Sequence, residues 1–308
     1  MRAIQYSEHG GPEVLHLTEV AEPSVGPGEV RLRVRASSVN PVDWKLVKGG
    51  RPDSVITLPA IPGRDAAGVI ETVGPGVSGW SVGDAVITYG HEKEVRSGGY
   101  AELMTVPAHA LGPKPASMGW DEAGTLPCAG LTALQVLRLA EVGEGDTVLI
   151  HAASGGVGSF AVQIARALGA GRVIGTASEP GHGFLRELGV EPVTYGDGLV
   201  DQVLALAPDG VDVVIDLVGG GVVEQTVQVL RPGGRHASIA DRQIAERGGR
   251  YLQVEADTAD FTELGRLVDA GHVKVHLQRV FPLAEAEEAF RLSLTRHLRG
   301  KIAIHVSD

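Results

Sequence analysis

The chain has 308 residues, 43% of them apolar and 21% charged, a length that suits about two domains rather than one ordinary core. Its formal charge is −11, from 27 basic and 38 acidic residues with no long basic run, which argues against nucleic acid or an anionic membrane as the main partner. Cys128 is the only cysteine, which excludes an intramolecular disulfide and any structural metal site built from several thiolates. The opening MRAIQYSEHG has no apolar segment and predicts no signal peptide. No later run approaches the roughly 20 apolar residues of a membrane span, so a cytoplasmic protein is expected.

Residues 1 to about 118 read as strands and loops. EVRLRVRASSV (29–39) alternates apolar and charged residues, the period-two mark of a strand with one face buried. DAAGVIETVG (65–74) and DAVITYG (84–90) repeat the pattern, with Gly-Pro-Gly punctuation at 74–76. Several short strands at this spacing predict a partly open β-barrel. From Trp120 the pattern changes. Residues 121–140 hold a helical stretch, and then strands and helices alternate. TVLIHAA (147–153), RVIGTA (172–177), PVTY (192–195), VDVVIDLV (211–218) and RHASIA (235–240) are predicted strands, with YLQVEA (251–256) as a sixth. Such alternation predicts an α/β fold, a doubly wound parallel sheet covered on both faces. The tail offers one or two helices and a last strand, KIAIHV (301–306), expected to return to the first domain.

The strongest local signal is GDTVLIHAASGGVGSFAVQIAR (145–166), a strand, a glycine-rich turn and a helix. Ala153, Gly155 and Gly158 occupy the three small-residue positions of the dinucleotide fingerprint, with Ser154, Gly156 and Val157 between them. Gly155 lets the backbone approach a pyrophosphate, Gly158 lets the helix pack on the sheet, and the helix N-terminus offers N–H groups to the phosphates. The bland reading is a glycine turn that merely packs; the strand before and helix after favour nucleotide binding.

The same run resembles the quinone oxidoreductase and zeta-crystallin branch of the medium-chain dehydrogenase/reductases. Gly145-Asp146, Leu149, Ala153-Ser154-Gly155-Gly156, Gly158, Gln163 and Arg166 carry the likeness, supported by ASSVNPVDWKLVKG (36–49), PGRDAAGVIETVGPGV (62–77), GGYAEL (98–103), LPCAGLTA (126–133) and RGKIAIHV (299–306). The resemblance implies a GroES-like, partly open barrel as catalytic domain (1–120 with 258–308), a Rossmann domain (121–257) and a cleft between them. It also implies NADPH as donor and, commonly, a homodimer.

NAD-binding folds usually end the second strand with an acid that bonds the ribose 2′-OH. Here that region reads Thr176, Ala177, Ser178, with Glu179 one step beyond. Ser178 can donate to a 2′-phosphate, and Tyr195 stands where the family often has a tyrosine near that phosphate. A lysine often found after the serine is absent; His182 or Arg186 can replace it, or each is a solvated surface residue. Gly219, Gly220 and Ser238 follow strand ends, where such sheets bind ligands.

In zinc-dependent relatives three protein ligands hold the metal. At the resembling positions stand Asn40, Arg64 and Cys128, and a lone thiolate beside an arginine cannot hold catalytic zinc. Without Lewis-acid help the acceptor must already be electron-poor, such as a quinone, enone, enal or enoyl thioester. Asn40, Arg64, Asp65 and Thr132 are the candidate catalytic residues. Asn40 orients the nicotinamide ribose or a substrate oxygen, or is only a turn residue before Pro41. Arg64 and Asp65 form a charge pair at the cleft floor, or an exposed pair worth little. Thr132 lies near the nicotinamide carboxamide, or caps a helix. Trp44 walls an aromatic acceptor or belongs to the core, and Lys45 stands where many relatives have a tyrosine. Cys128 reads first as a small core residue, and His151 as a packed or surface-edge histidine. Enoyl or enone reduction and an NADPH-binding sensor without useful turnover are the competing functions.

Overall fold

The computed structural model describes residues 1–50, 55–90, 94–95, 97–296 and 298–308. The chain forms two compact units. One comprises Met1–Ala129, Glu255–Asp269 and Val275–Asp308; the other comprises Gly130–Val254 and Ala270–Lys274. The first boundary falls later than 120 because residues 120–124 are pressed on the first unit's sheet. The helix Trp120–Ala123 lies against the strands Glu29–Ser38 and Asp65–Val73, and a Cβ at Gly124 would meet Ala36 at 2.8 Å.

The first unit is built on a seven-stranded sheet. Its order is Leu277–Pro282, Lys301–His305, Glu29–Ser38, Asp65–Val73, Ala85–Tyr89 and Leu111–Pro113, with Leu103–Pro107 also paired to Glu29–Ser38. Alternation works as expected: Val30, Leu32, Val34 and Ala36 are buried, while Arg31 and Arg33 reach the Glu71 carboxylate on the other face. The long strand changes partner along one edge. Residues 29–33 pair with Leu103–Pro107, and residues 36–38 pair with Lys301–His305, so the tail does return to this unit. Antiparallel pairing then brings Ser38, Asp65, Tyr89 and Lys301 to the same end of the sheet.

The second unit is a six-stranded parallel sheet in the order Glu191–Thr194, Arg172–Ala177, Thr147–Ile150, Val211–Asp216, Leu230–Ser238 and Arg250–Tyr251. This is the doubly wound order that reverses beside its first strand, Thr147–Ile150. Val211–Asp216 is buried at every position, as a central parallel strand should be. Four details differ from the sequence reading. The first strand stops at Ile150 because Ala152 turns out with φ +50°. The sixth shrinks to two residues. The helix Leu199–Leu206, launched from Gly198 at φ +82°, and the strand Leu277–Pro282 carried too short a pattern to be foreseen.

Candidate active site

At the sheet end of the first unit, Asn40 precedes the helix Pro41–Val47, with proline at its first position. Asp43 closes the turn by accepting the Asn40 N–H at 2.7 Å, and its other oxygen accepts the Arg64 N–H at 3.1 Å. The Asn40 side chain turns inward. Its Nδ2 donates to Asp65 Oδ2 at 2.8 Å and to Ser38 Oγ at 3.2 Å, and its Oδ1 accepts from Lys301 Nζ at 2.5 Å. Asp65 also accepts from Ser38 Oγ at 2.5 Å and from the Cys128 N–H at 2.7 Å. Arg64 donates from Nη1 to the Gly90 carbonyl at 3.2 Å. Ser38, Asn40, Asp43, Arg64, Asp65 and Lys301 are all buried.

Two buried carboxylates and two buried cations thus share one small volume. Burial pushes the Asp43 carboxyl up to about 7, and the neighbouring Asp65 charge adds to the rise. Burial also raises Asp65, opposed by the Lys301 ammonium. Burial pushes the Cys128 thiol far up, with the Asp65 charge acting the same way, which favours the protonated form.

In the second unit the glycine turn runs from Ala152 into the helix Gly156–Ala167. Gly158 is demanded by packing, since a Cβ there would meet Ala152 O at 2.2 Å and Ala153 Cα at 2.6 Å. Gly155 is different: a Cβ would meet only Ala152 O, at 3.3 Å. After Val211–Asp216, Gly219, Gly220 and Gly221 all have positive φ. Asp216 Oδ1 holds this turn through the N–H groups of Val218 and Gly219, at 2.8 and 2.9 Å. Its Oδ2 accepts from Ser238 Oγ at 2.7 Å, and that oxygen accepts the N–H groups of Ala240 and Asp241 at 3.0 and 2.9 Å. One carboxylate therefore ties together the loops that follow two adjacent strands.

Asn40 and Asp65 are bonded directly, Arg64 joins them through its backbone N–H on Asp43 while its guanidinium donates to the Gly90 carbonyl, and all three are buried rather than exposed. Thr132 belongs to the second unit and sits inside the helix Pro127–Leu139, 5% exposed, not at its start. Ser154, Gly156, Val157 and Ser178 are half-buried, Ala153 is buried, and Tyr195 is 55% exposed. Thr176 accepts the Ala152 N–H at 2.9 Å, and Ser238 serves Asp216; both hydroxyls brace the turns. His151 is packed: it is 2% exposed, within 3.4 Å of Thr226 Oγ1, and burial lowers it to about 4 against the pull of Asp216. Trp44 packs against the first unit's core, with Lys45, Lys48 and Arg296 around its ring at 5.6–5.9 Å. The sequence reading missed Ser38, Asp43, Lys301 and Asp216. Asp43 had a signal, as the third residue of a helix opened by Asn-Pro; Lys301 had none beyond being the one charge in an apolar strand.

A doubly wound sheet with a glycine turn at its reversal point, together with a barrel-like unit, defines a nucleotide-dependent oxidoreductase of the medium-chain type. Comparison with known proteins agrees. Residues 26–116 match the alcohol dehydrogenase GroES-like domain, and residues 188–304 match the family described as zinc-binding dehydrogenase. Rat (Rattus norvegicus) quinone oxidoreductase is 37% identical, over 94% of this chain and 92% of that protein. The chloroplastic NADPH-dependent alkenal/one oxidoreductase of Arabidopsis thaliana is 31% identical, over 99% of this chain and 79% of that protein. The solved quinone oxidoreductase of Coxiella burnetii superposes with a TM-score of 0.89 at 34% identity, covering 99% of each chain. The chain belongs to the quinone oxidoreductase branch of the medium-chain dehydrogenase/reductase superfamily. It is an oxidoreductase of the kind that works with a nicotinamide cofactor.

Proposed function

We propose that the protein transfers hydride from NADPH to an electron-poor acceptor, a quinone or a similarly conjugated carbonyl compound, without a metal ion. The observation that carries this reading is the chemistry of the first-unit cluster. The Asn40 amide is committed to Lys301, Asp65 and Ser38, and of the three positions Asn40, Arg64 and Cys128 only the last carries a thiol. These residues do not fit the zinc that the matched family description names, because a catalytic Zn²⁺ needs three protein ligands, and here an arginine, which has no lone pair to give, and an amide stand beside a single thiol. With no Lewis acid to polarise it, the acceptor must bring its own electron deficiency.

The second unit fits a dinucleotide. The missing side chain at Gly155 answers no strong internal need, and a Cβ at Gly220 or Gly221 would meet nothing within 4 Å, so both turns leave room for a ligand. The N-terminus of Gly156–Ala167 supplies N–H groups and a positive dipole end for a pyrophosphate. Ser178 and Tyr195 are accessible to donate to a 2′-phosphate, with Gly181 and His182 beside them in place of a lysine. When bound, the nicotinamide supplies the hydride; the chain's own residues orient the reactants and exclude water. The reading includes a cytoplasmic homodimer acting on small molecules. Its support is the family likeness and, among the described residues, the lack of any helix long and apolar enough to cross a membrane.

Reduction of 2-alkenals or enones is the second reading, favoured by the Arabidopsis relative's name. It needs a proton for the neighbouring carbon. A panel of quinones, enones and 2-alkenals, each offered with NADPH and with NADH, tests both. Turnover with quinones and NADPH supports the first reading, and turnover limited to alkenes supports the second. Turnover with none of them, despite NADPH binding, retires both. Replacing Ser178 by Ala and Tyr195 by Phe together is expected to narrow the preference for NADPH over NADH; an unchanged ratio of kcat/KM rejects these residues as the phosphate readers.

A further inference from the structure

The two ends of a carboxamide have nearly the same shape and opposite hydrogen-bonding sense: Oδ1 only accepts and Nδ2 only donates. At Asn40 each end faces a partner that permits one assignment. An ammonium has no lone pair, so Lys301 Nζ, at 2.5 Å, must meet Oδ1. A carboxylate has no proton to give, so Asp65 Oδ2, at 2.8 Å, must meet Nδ2. The second Nδ2 hydrogen goes to Ser38 Oγ at 3.2 Å, whose own proton goes to Asp65 at 2.5 Å. Cation, amide and anion form one chain, with every member no more than 3% exposed. An amide held only by hydroxyls could rotate by half a turn at little cost. Here the flip would set Nδ2 against an ammonium and Oδ1 against a carboxylate in a medium of low dielectric.

We propose that Lys301 is a positioning residue of the hydride-transfer site, which locks the Asn40 amide in one orientation through Oδ1. The consequence is specific. Both Nδ2 hydrogens are spent inside the protein, so Asn40 offers a ligand only the remaining lone pair of Oδ1. Such a group accepts from a hydroxyl, as on a ribose, and cannot stabilise a carbonyl oxygen as negative charge develops on it. The role of Asn40 is thereby narrowed to holding a hydroxyl-bearing part of the bound reactants. This rests on the reading of Asn40 as a residue of the reacting site.

Asn40 is the only asparagine in the chain, which allows a direct test. Protein labelled with ¹⁵N-asparagine has a single side-chain NH₂ pair, identified by its loss in Asn40→Ala. In the unaltered protein both hydrogens are expected to exchange slowly with solvent. In Lys301→Met, which keeps the stem and removes the charge, they are expected to exchange much faster, and Lys301→Arg should restore part of the protection. An NH₂ pair with unchanged exchange in Lys301→Met overturns the lock. Kinetics with NADPH and a quinone test the link to turnover. Lys301→Met and Asn40→Ala should each lower kcat roughly 10- to 100-fold, and the double variant should fall no lower than the worse single one. Losses that multiply, or a Lys301→Met enzyme with unaltered kcat, overturn the positioning role. Thermal melts of each variant separate these effects from general loss of structure. If the unaltered protein reduces no acceptor, the functional reading fails by itself, while the exchange experiment still decides whether Lys301 holds the amide.

Discussion

Single residues carry most of what is distinctive here, and several invite measurement. Ala152 adopts φ +50°, a conformation that costs a residue with a Cβ about 1–2 kcal/mol. Ala152→Gly should therefore stabilise the protein by up to about 1 kcal/mol, the relief of strain being partly offset by the greater freedom of glycine when unfolded. A fall in the urea midpoint would show that the turn tolerates alanine without strain. Asp65 compensates a buried ammonium through the Asn40 amide, so Asp65→Ala should destabilise by about 3–5 kcal/mol, read from denaturation. The Cys128 thiol should react with iodoacetamide near neutral pH far more slowly than a free cysteine; rapid alkylation would contradict its burial-raised protonation. Asn40, Arg64 and Asp65 were legible in the sequence because they lie within recognisable motifs. Lys301 was not, because its partner is 261 residues away and only strand pairing brings the two together.

At the scale of elements, the nucleotide unit could be read almost strand by strand, because buried parallel strands are short apolar runs flanked by glycine. What escaped was an eight-residue helix, Leu199–Leu206, while the sixth strand, read as 251–256, keeps only Arg250–Tyr251. The glycine turn makes the sharpest prediction at this scale. Gly158→Val forces a side chain into Ala152 and Ala153 and should destabilise the unit by several kcal/mol. A Cβ at Gly155 meets one carbonyl oxygen only, at 3.3 Å, so Gly155→Val should lower the melting temperature far less than Gly158→Val while NADPH binding is lost. Calorimetric titration of both variants checks this. Equal loss of stability in the two, or retained affinity in Gly155→Val, would remove the functional distinction drawn between them.

For the whole molecule, two buried groups set opposing responses to pH. Asp43 rises from its ordinary 3.8 to about 7, so the folded chain binds its proton more tightly than the unfolded chain does. That contribution to stability is complete below about 3.8 and is lost as pH rises through 7. His151 falls from 6.5 to about 4, so its contribution is complete above 6.5 and is lost as pH falls through 4. Between pH 4 and 6.5 the two slopes oppose each other, each up to about 1.4 kcal/mol per pH unit. Asp43→Asn should make stability climb more steeply with pH across that window, and His151→Gln should make it decline. Urea titrations at several pH values read both signs, and an Asp43→Asn profile that matches the parent would mean that Asp43 is ionised throughout. The two-unit architecture and the family were open to sequence because they depend on periodicity and on the glycine turn. The charge balance at the sheet end was not, because it depends on which strands become neighbours.

The most direct test of the account is NADPH oxidation by protein dialysed exhaustively against a chelator and shown by mass spectrometry to be free of zinc. Full turnover with a quinone, unchanged when zinc is added back, is the predicted result. Turnover that is abolished by metal removal and restored by zinc would contradict hydride transfer at a metal-free site built on Asn40, Asp65 and Lys301.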